Sequence, residues 1–219
     1  MAVKFANVIS CRFGAAGAHD PREQTLSRLL RLLAETDPPA HRHAYRVREL
    51  ALALADELRV PDTLIDVINT AARLHDIGKL TLPDEVLHTP GQLTPQQFAV
   101  VKQHAALGAD LLNAVGLPDV ARMVRHHHEN WDGSGYPDGL RGEAIPLGAR
   151  ILAIVDCYDA LTSHRTYRPA LSPQDAIAVI IERQGTYYEP AITQAFVDFI
   201  RRTWVPQTWT AWHLEARLG

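Results

Sequence analysis

Apolar residues recur every three to four positions through most of this chain and nowhere alternate over a useful length. That period predicts helices. Leu26, Leu29, Leu30 and Leu33 mark a first helix, stopped at Asp37-Pro38-Pro39, where proline removes an amide donor and crowds the preceding turn. A second helix runs from about Ala40 to Leu58 with Val47, Leu50 and Leu54 inward, and a third carries Leu64, Val67, Ile68, Ala71 and Leu74. Residues 80–94, with Pro83, Pro90 and Gly91, read as loop. Thr94-Pro95 then supplies an N-cap and a first-turn proline for a helix burying Val100, Val101, Leu107 and Leu111. Pro118 opens the next, through Val120, Met123 and Val124. Further helices are expected at about Leu147–Thr162, from Ser172-Pro173 to Gln184, and from Pro190 to about Thr203. Between them, residues 129–148 hold Gly133, Gly135, Gly139 and Gly142 and two prolines, with little periodicity. Long ordered loops in compact domains are usually functional. The fold class is all-α, a compact bundle of about seven or more helices. Residues 1–20 are expected to be a poorly ordered lead-in and 21–203 the domain. The tail, 204–219, holds three of the four tryptophans and is expected to pack on the domain.

Composition narrows the function. A chain of 219 residues, 47% hydrophobic, can bury one full core. A net charge of −3 and a pI near 6.4 argue against a nucleic-acid polymer as partner. Cys11 and Cys157 are the only cysteines, too few for a disulfide framework, which fits a reducing cytoplasm. No apolar run approaches the roughly 20 residues needed to span a bilayer. Lys4 and Asn7 break the mildly apolar start and argue against a signal peptide.

Seven residues disturb the apolar stripes: His43, His75, Asp76, His104, His127, His128 and Asp156. His43 precedes Val47, Leu50 and Leu54 on one face; His75 continues the Leu64–Ile68–Ala71 stripe, with Asp76 after it at the helix end. His104 lies between Val100 and Leu107-Gly108, His127 and His128 continue Val120–Val124, and Asp156 follows Leu152 by one turn. Burying an unpaired imidazole or carboxylate is costly, so any single one reads best as a hydrogen-bonded core residue. The set of five His and two Asp, drawn from five helices, reads instead as coordination. Mixed nitrogen and oxygen donors without cysteine suit Fe or Mn best, with Zn or Ni next. Seven donors exceed the needs of one ion. Two divalent metal ions about 3.5–4 Å apart, sharing one Asp and a water acidified into a nucleophile, would use them all and suit phosphodiester hydrolysis.

His75-Asp76 followed by Ile77-Gly78-Lys79 resembles the signature of the HD metal-dependent phosphohydrolase superfamily. The stretch HHENWDGSGYPDGLRG at 127–142 is similar to that of its HD-GYP family, whose name-giving triplet falls on Gly135, Tyr136 and Pro137. HAYRV at 43–47, LHDIGKL at 74–80, KQHAALG at 102–108, RILAIVDCYDALTSHRTYR at 150–168 and GTYYEP at 185–190 follow in the family's order. The resemblance covers roughly residues 40–200. It implies an HD-domain-like bundle with a dinuclear metal site between helices, hydrolysing cyclic di-GMP to linear pGpG and possibly on to GMP. It places the ligands on the same seven residues, with Asp76 bridging and catalytic. Some members use a glutamate four residues before the first ligand histidine to hold a third metal; here that position is Pro39, so the site reads as dinuclear.

By the same resemblance Lys79 lies against the scissile phosphate, though alone it reads equally as a solvated lysine near a helix end. Arg165 and Arg168 would clamp the second phosphate or stack on guanine, since arginine does both, or else are plain surface residues. Asp159 is expected to orient a ligand, with a capped structural carboxylate as the alternative. The Gly135-Tyr136-Pro137 loop is implicated in the family in contacts with GGDEF domains; a purely structural staple is the other reading. His126 is set aside, because a helix cannot aim three consecutive side chains at one site. Two other functions stay open. One is a phosphohydrolase for another cyclic dinucleotide or a nucleotide. The other is a non-catalytic domain that senses cyclic di-GMP or docks on a partner, although none of the seven ligands is lost.

Overall fold

The computed structural model describes residues 21–87, 89, 91–164 and 169–203, the side chains of residues 21 and 22 excepted. The expected lead-in, the tryptophan-rich tail, Arg165 and Arg168 lie outside the described residues. Nine α-helices occur among the described residues: α1 Pro21–Thr36, α2 Pro38–Glu57, α3 Asp62–Leu74, α4 Asp84–Leu87, α5 Pro95–Ala114, α6 Pro118–His126, α7 Leu147–Thr162, α8 Pro173–Glu182 and α9 Pro190–Thr203. Ile77–Thr81 and Gly142–Ala144 are short 3₁₀ turns, and the described part contains no strand.

Helix starts follow local chemistry. Asp37 accepts the amide of Ala40 ahead of two prolines in the first turn of α2. Thr94 and Gln97 cap each other's amides at α5, and Ser172 accepts the amide of Asp175 at α8. The apolar stripes of α2, α3, α6, α7 and α9 meet in one core that includes Val47, Leu54, Ile68, Leu74, Val124, Ile151 and Ile154. Tyr158 on α7 meets Phe196 on α9 edge to face at 5.2 Å. Each pair α2–α3, α2–α7, α3–α6 and α5–α6 packs directly, which brings the ligand-bearing segments together.

Two expectations need correction. Residues 80–94 are not all loop, since Ile77–Thr81 forms a 3₁₀ turn and Asp84–Leu87 one α-helical turn. On α5 the buried face is His104, Ala105, Gly108, Ala109 and Leu112. Val100, Val101 and Leu107 are only half-buried and Leu111 is exposed. Close backbone approach explains this choice of small residues. A Cβ on Gly78 would sit 2.0 Å from the His104 carbonyl oxygen and 2.6 Å from the Gly108 amide, so the 3₁₀ turn lies flush on α5. Bulky aliphatics are thereby displaced to the flanks of that crossing.

Candidate metal centre

The seven residues converge. His43 rises from the first turns of α2 and Asp156 from the middle of α7, as their stripes require. The other placements differ in detail: His75 and His127 are the C-caps of α3 and α6, and Asp76 and His128 lie just beyond. Both caps keep right-handed helical angles, so the helical phase carries on past the last helical hydrogen bond. The rings of His127 and His128 lie side by side, their centroids 3.9 Å apart. His126, still on α6, turns away and sets its Nε2 2.9 Å from Asp138.

Donor atoms fall into two groups, each with its atoms within 4.8 Å of one another: His43, His75 and Asp76, and His104, His127 and His128. Asp76 links them. Its Oδ2 is 3.5 Å from Nε2 of His75 and its Oδ1 is 3.4 Å from Nε2 of His104. Asp156 Oδ1 joins the first group, 3.0 Å from Nε2 of His43 and 3.9 Å from Nε2 of His75. In the second group, Nε2 atoms of His104 and His127 approach to 3.5 Å.

Four of the five rings are held from behind. Nδ1 of His75, His104 and His127 donates to the carbonyl three residues earlier, at 2.9, 2.7 and 2.6 Å. His43 instead donates Nδ1–H to Asp159 Oδ2 at 2.7 Å, and Arg46 grips Asp159 through Nε and NH2 at 2.6 and 2.9 Å. These partners accept the hydrogen bond from Nδ1 and turn Nε2 inward, the disposition that metal-ligating histidines adopt. His75 Nε2 is buried and has no hydrogen-bond partner. A buried acceptor is rarely left so, and the donor set around it fits divalent cations well.

Electrostatics agree with that fit. Burial holds His104 and His127 below the usual imidazole range and pushes His128 down to about 4, so all three are neutral near pH 7. Burial alone would raise the Asp76 carboxyl. Lys79, His75, His104 and His43 outweigh it and keep Asp76 ionised. Burial also works against the charge on Asp156, and the hydrogen bond from His43 outweighs it. His43 is the exception among the imidazoles: burial lowers it, but hydrogen bonds to Asp156 and Asp159 prevail and raise it to about 9.

Lys79, on the 3₁₀ turn, places Nζ 2.6 Å from Asp76 Oδ2 with about a third of its side chain exposed. The long loop folds back over the centre rather than away from it. Tyr136 lays its ring 4.9 Å from that of His128, donates its amide to the His128 carbonyl, and is only half-exposed. Gly135 is required there, because a Cβ would lie 2.3–2.6 Å from backbone atoms of His128, Glu129 and Asn130.

Glu129 escaped the sequence reading. It is 2% exposed and accepts the amides of Asp138 and Leu140, pinning the far side of the loop. Asp138 is also clamped by both Arg125 and His126. Glu129 stands outside any periodic stripe, and adjacency to His127-His128 was its one sequence signal. Arg46 was missed likewise, being mostly a surface residue of α2.

This chain belongs to the HD domain family, whose family model matches residues 28–192, and within it to the HD-GYP branch that its motifs resemble. Among its relatives is a "Probable cyclic di-GMP phosphodiesterase" of Vibrio cholerae, 39% identical over 83% of this chain and 45% of that protein. Another is a "Cyclic di-GMP phosphodiesterase" of Thermotoga maritima, 38% identical over 77% of this chain and 47% of that protein. The chain thus spans less than half the length of these relatives. The fold is also that of a cyclic GMP-AMP specific phosphodiesterase of V. cholerae, with TM-score 0.63 at 19% identity over 85% of this chain and 50% of that one. No described helix is long and apolar enough to cross a membrane.

Proposed function

We propose that this chain is a two-metal phosphodiesterase that opens cyclic di-GMP to linear pGpG, with GMP following if a second bond is cut. One observation carries the reading: the two oxygens of Asp76 face two separate histidine groups, the disposition a bridging carboxylate needs. His43, His75, Asp76 and Asp156 would hold one divalent ion; Asp76, His104, His127 and His128 would hold the other. Iron or manganese suits these donors best. The names of the relatives supply the substrate.

When bound, the ions supply an acidified water and positive charge against the phosphate. The protein supplies position. Asp159 and the three backbone carbonyls fix four of the five imidazoles, so those donors need no rearrangement. Lys79 is tethered to Asp76 at the mouth and can swing one donor to a phosphate oxygen as negative charge builds on it. Arg165 and Arg168 belong to this proposal as contacts for the second phosphate or a guanine. Tyr136, packed on His128, serves the centre, and any docking of a GGDEF domain would have to use the outer edge of its loop.

The test pairs metal analysis of freshly purified protein with product identification from cyclic di-GMP, cyclic di-AMP and 3′3′-cGAMP. About two ions per chain and linear pGpG are expected. A metal-loaded protein that leaves every cyclic dinucleotide intact would refute the reading.

A further inference from the structure

One cation near the centre touches rings and not carboxylates. Lys102 extends from α5 with Nζ 4.9 Å from the ring centroid of Phe98 and 5.2 Å from that of Tyr136. It forms no ion pair with any described carboxylate. Phe98 is 45% exposed, among the most solvent-exposed large apolar side chains described. Tyr136 in turn stacks on His128, so ring, ammonium and ring form a continuous path from the second histidine group out to the surface. A lone exposed phenylalanine is ordinary. A phenylalanine and an unneutralised ammonium sharing the rim of a nucleotide site offer what a base requires: a face to stack on and a donor for its edge.

We infer that Phe98 and Lys102 form the subsite for one guanine of the substrate, with Phe98 stacking on the base and Lys102 donating to its O6 and N7. The inference rests on the cyclic di-GMP reading and adds the residue that discriminates the base. An ammonium has three donors and no acceptor. Guanine presents two acceptors on that edge, whereas adenine presents one acceptor and one donor. Lys102 therefore favours guanine, while Phe98 favours any purine.

The experiment compares KM and kcat of the holoenzyme for cyclic di-GMP and cyclic di-AMP, in wild type and in Lys102→Met, which keeps the apolar stem. GMP and AMP, bound but not consumed, give the same comparison at equilibrium by calorimetry. The preference for the guanine ligand should fall by about tenfold, through KM and not kcat, the scale of one good base-edge contact. Phe98→Ala should raise KM for both dinucleotides about fivefold or more, and Phe98→Trp should restore it. An unchanged guanine preference with intact cyclic di-GMP hydrolysis would overturn the subsite and leave the phosphodiesterase reading standing. Equal weakening of both ligands in Lys102→Met would assign Lys102 to a phosphate and overturn the base assignment. A wild type that neither binds nor cleaves cyclic di-GMP would remove the functional reading and this one with it.

Discussion

Glu129 gives the sharpest test of how the long loop is tied to the metal centre. Its two oxygens each accept one backbone amide, from Asp138 at 2.8 Å and Leu140 at 3.1 Å, with the side chain 2% exposed. Glu129→Gln preserves shape but replaces one acceptor with a donor pair, so whichever way the amide turns, one of those N–H groups loses its partner. A hydrogen bond to a charged acceptor is worth about 1.5–3 kcal/mol, and the two amides that Glu129 receives are part-buried. Losing one should therefore weaken loop docking by about 1.5–3 kcal/mol, or roughly 10- to 150-fold in the local opening equilibrium. Hydrogen exchange reads this directly, because the Tyr136 amide is bonded to the His128 carbonyl only while the loop is closed. Exchange at Tyr136, Asp138 and Leu140 should accelerate by that factor. The global melting temperature should move less, since the opening is local. Metal affinity should weaken at the His104, His127 and His128 group first, where Tyr136 presses on His128. Unchanged protection at these three amides would refute the reasoning.

Other outcomes follow from the same geometry. Asp76→Ala should lose most of both ions together by metal analysis; retention of two ions would end the bridging assignment. Asp159→Ala should keep its metals but lower turnover, because it reaches the centre only through His43; a variant that sheds its metals as Asp76→Ala does would make Asp159 a ligand. Gly78→Ala should lower thermal stability by about 1–3 kcal/mol or more, since the new methyl meets backbone and not a movable side chain; a wild-type melting curve would mean that the 3₁₀ turn shifts freely. Loading metal-free protein at pH 7.5 should release about one proton from His43, whose pKa near 9 leaves it charged while Nε2 must be bare to bind an ion. Between pH 7.5 and about pH 10 the release should fall by about one proton, leaving what the acidified water gives up, and calorimetry in buffers of different ionisation enthalpy measures it; a release that grows over that range would contradict the His43 assignment.

Much of this was legible in the sequence because helices announce themselves by period and by their caps. Thr94 and Ser172 mark starts that the structure keeps, and Asp37, read as the stop of the first helix, also caps the second. The seven residues that converge were legible because polar residues on apolar stripes are conspicuous. What escaped has physical reasons. Leu111 has the apolar character of a core position, whereas a flush crossing at Gly78 and Gly108 selects alanine and glycine. The helix end at His127 was hidden because backbone angles outlast the hydrogen bonds by one residue. Glu129 and Lys102 act through loop amides and ring faces, which leave no period to read.

The carbonyls behind His75, His104 and His127 have a consequence for metal choice. Each ring takes its bearing from its own chain three residues back, so its direction owes nothing to whatever ion arrives. The ion meets a mould already set. Iron, manganese, zinc and nickel would then be received with nearly the same coordinates, and a swap among them would change reactivity without reshaping the pocket. The direction of these three rings would then contribute little to the choice among such metals, which would fall to donor type and to the metals at hand.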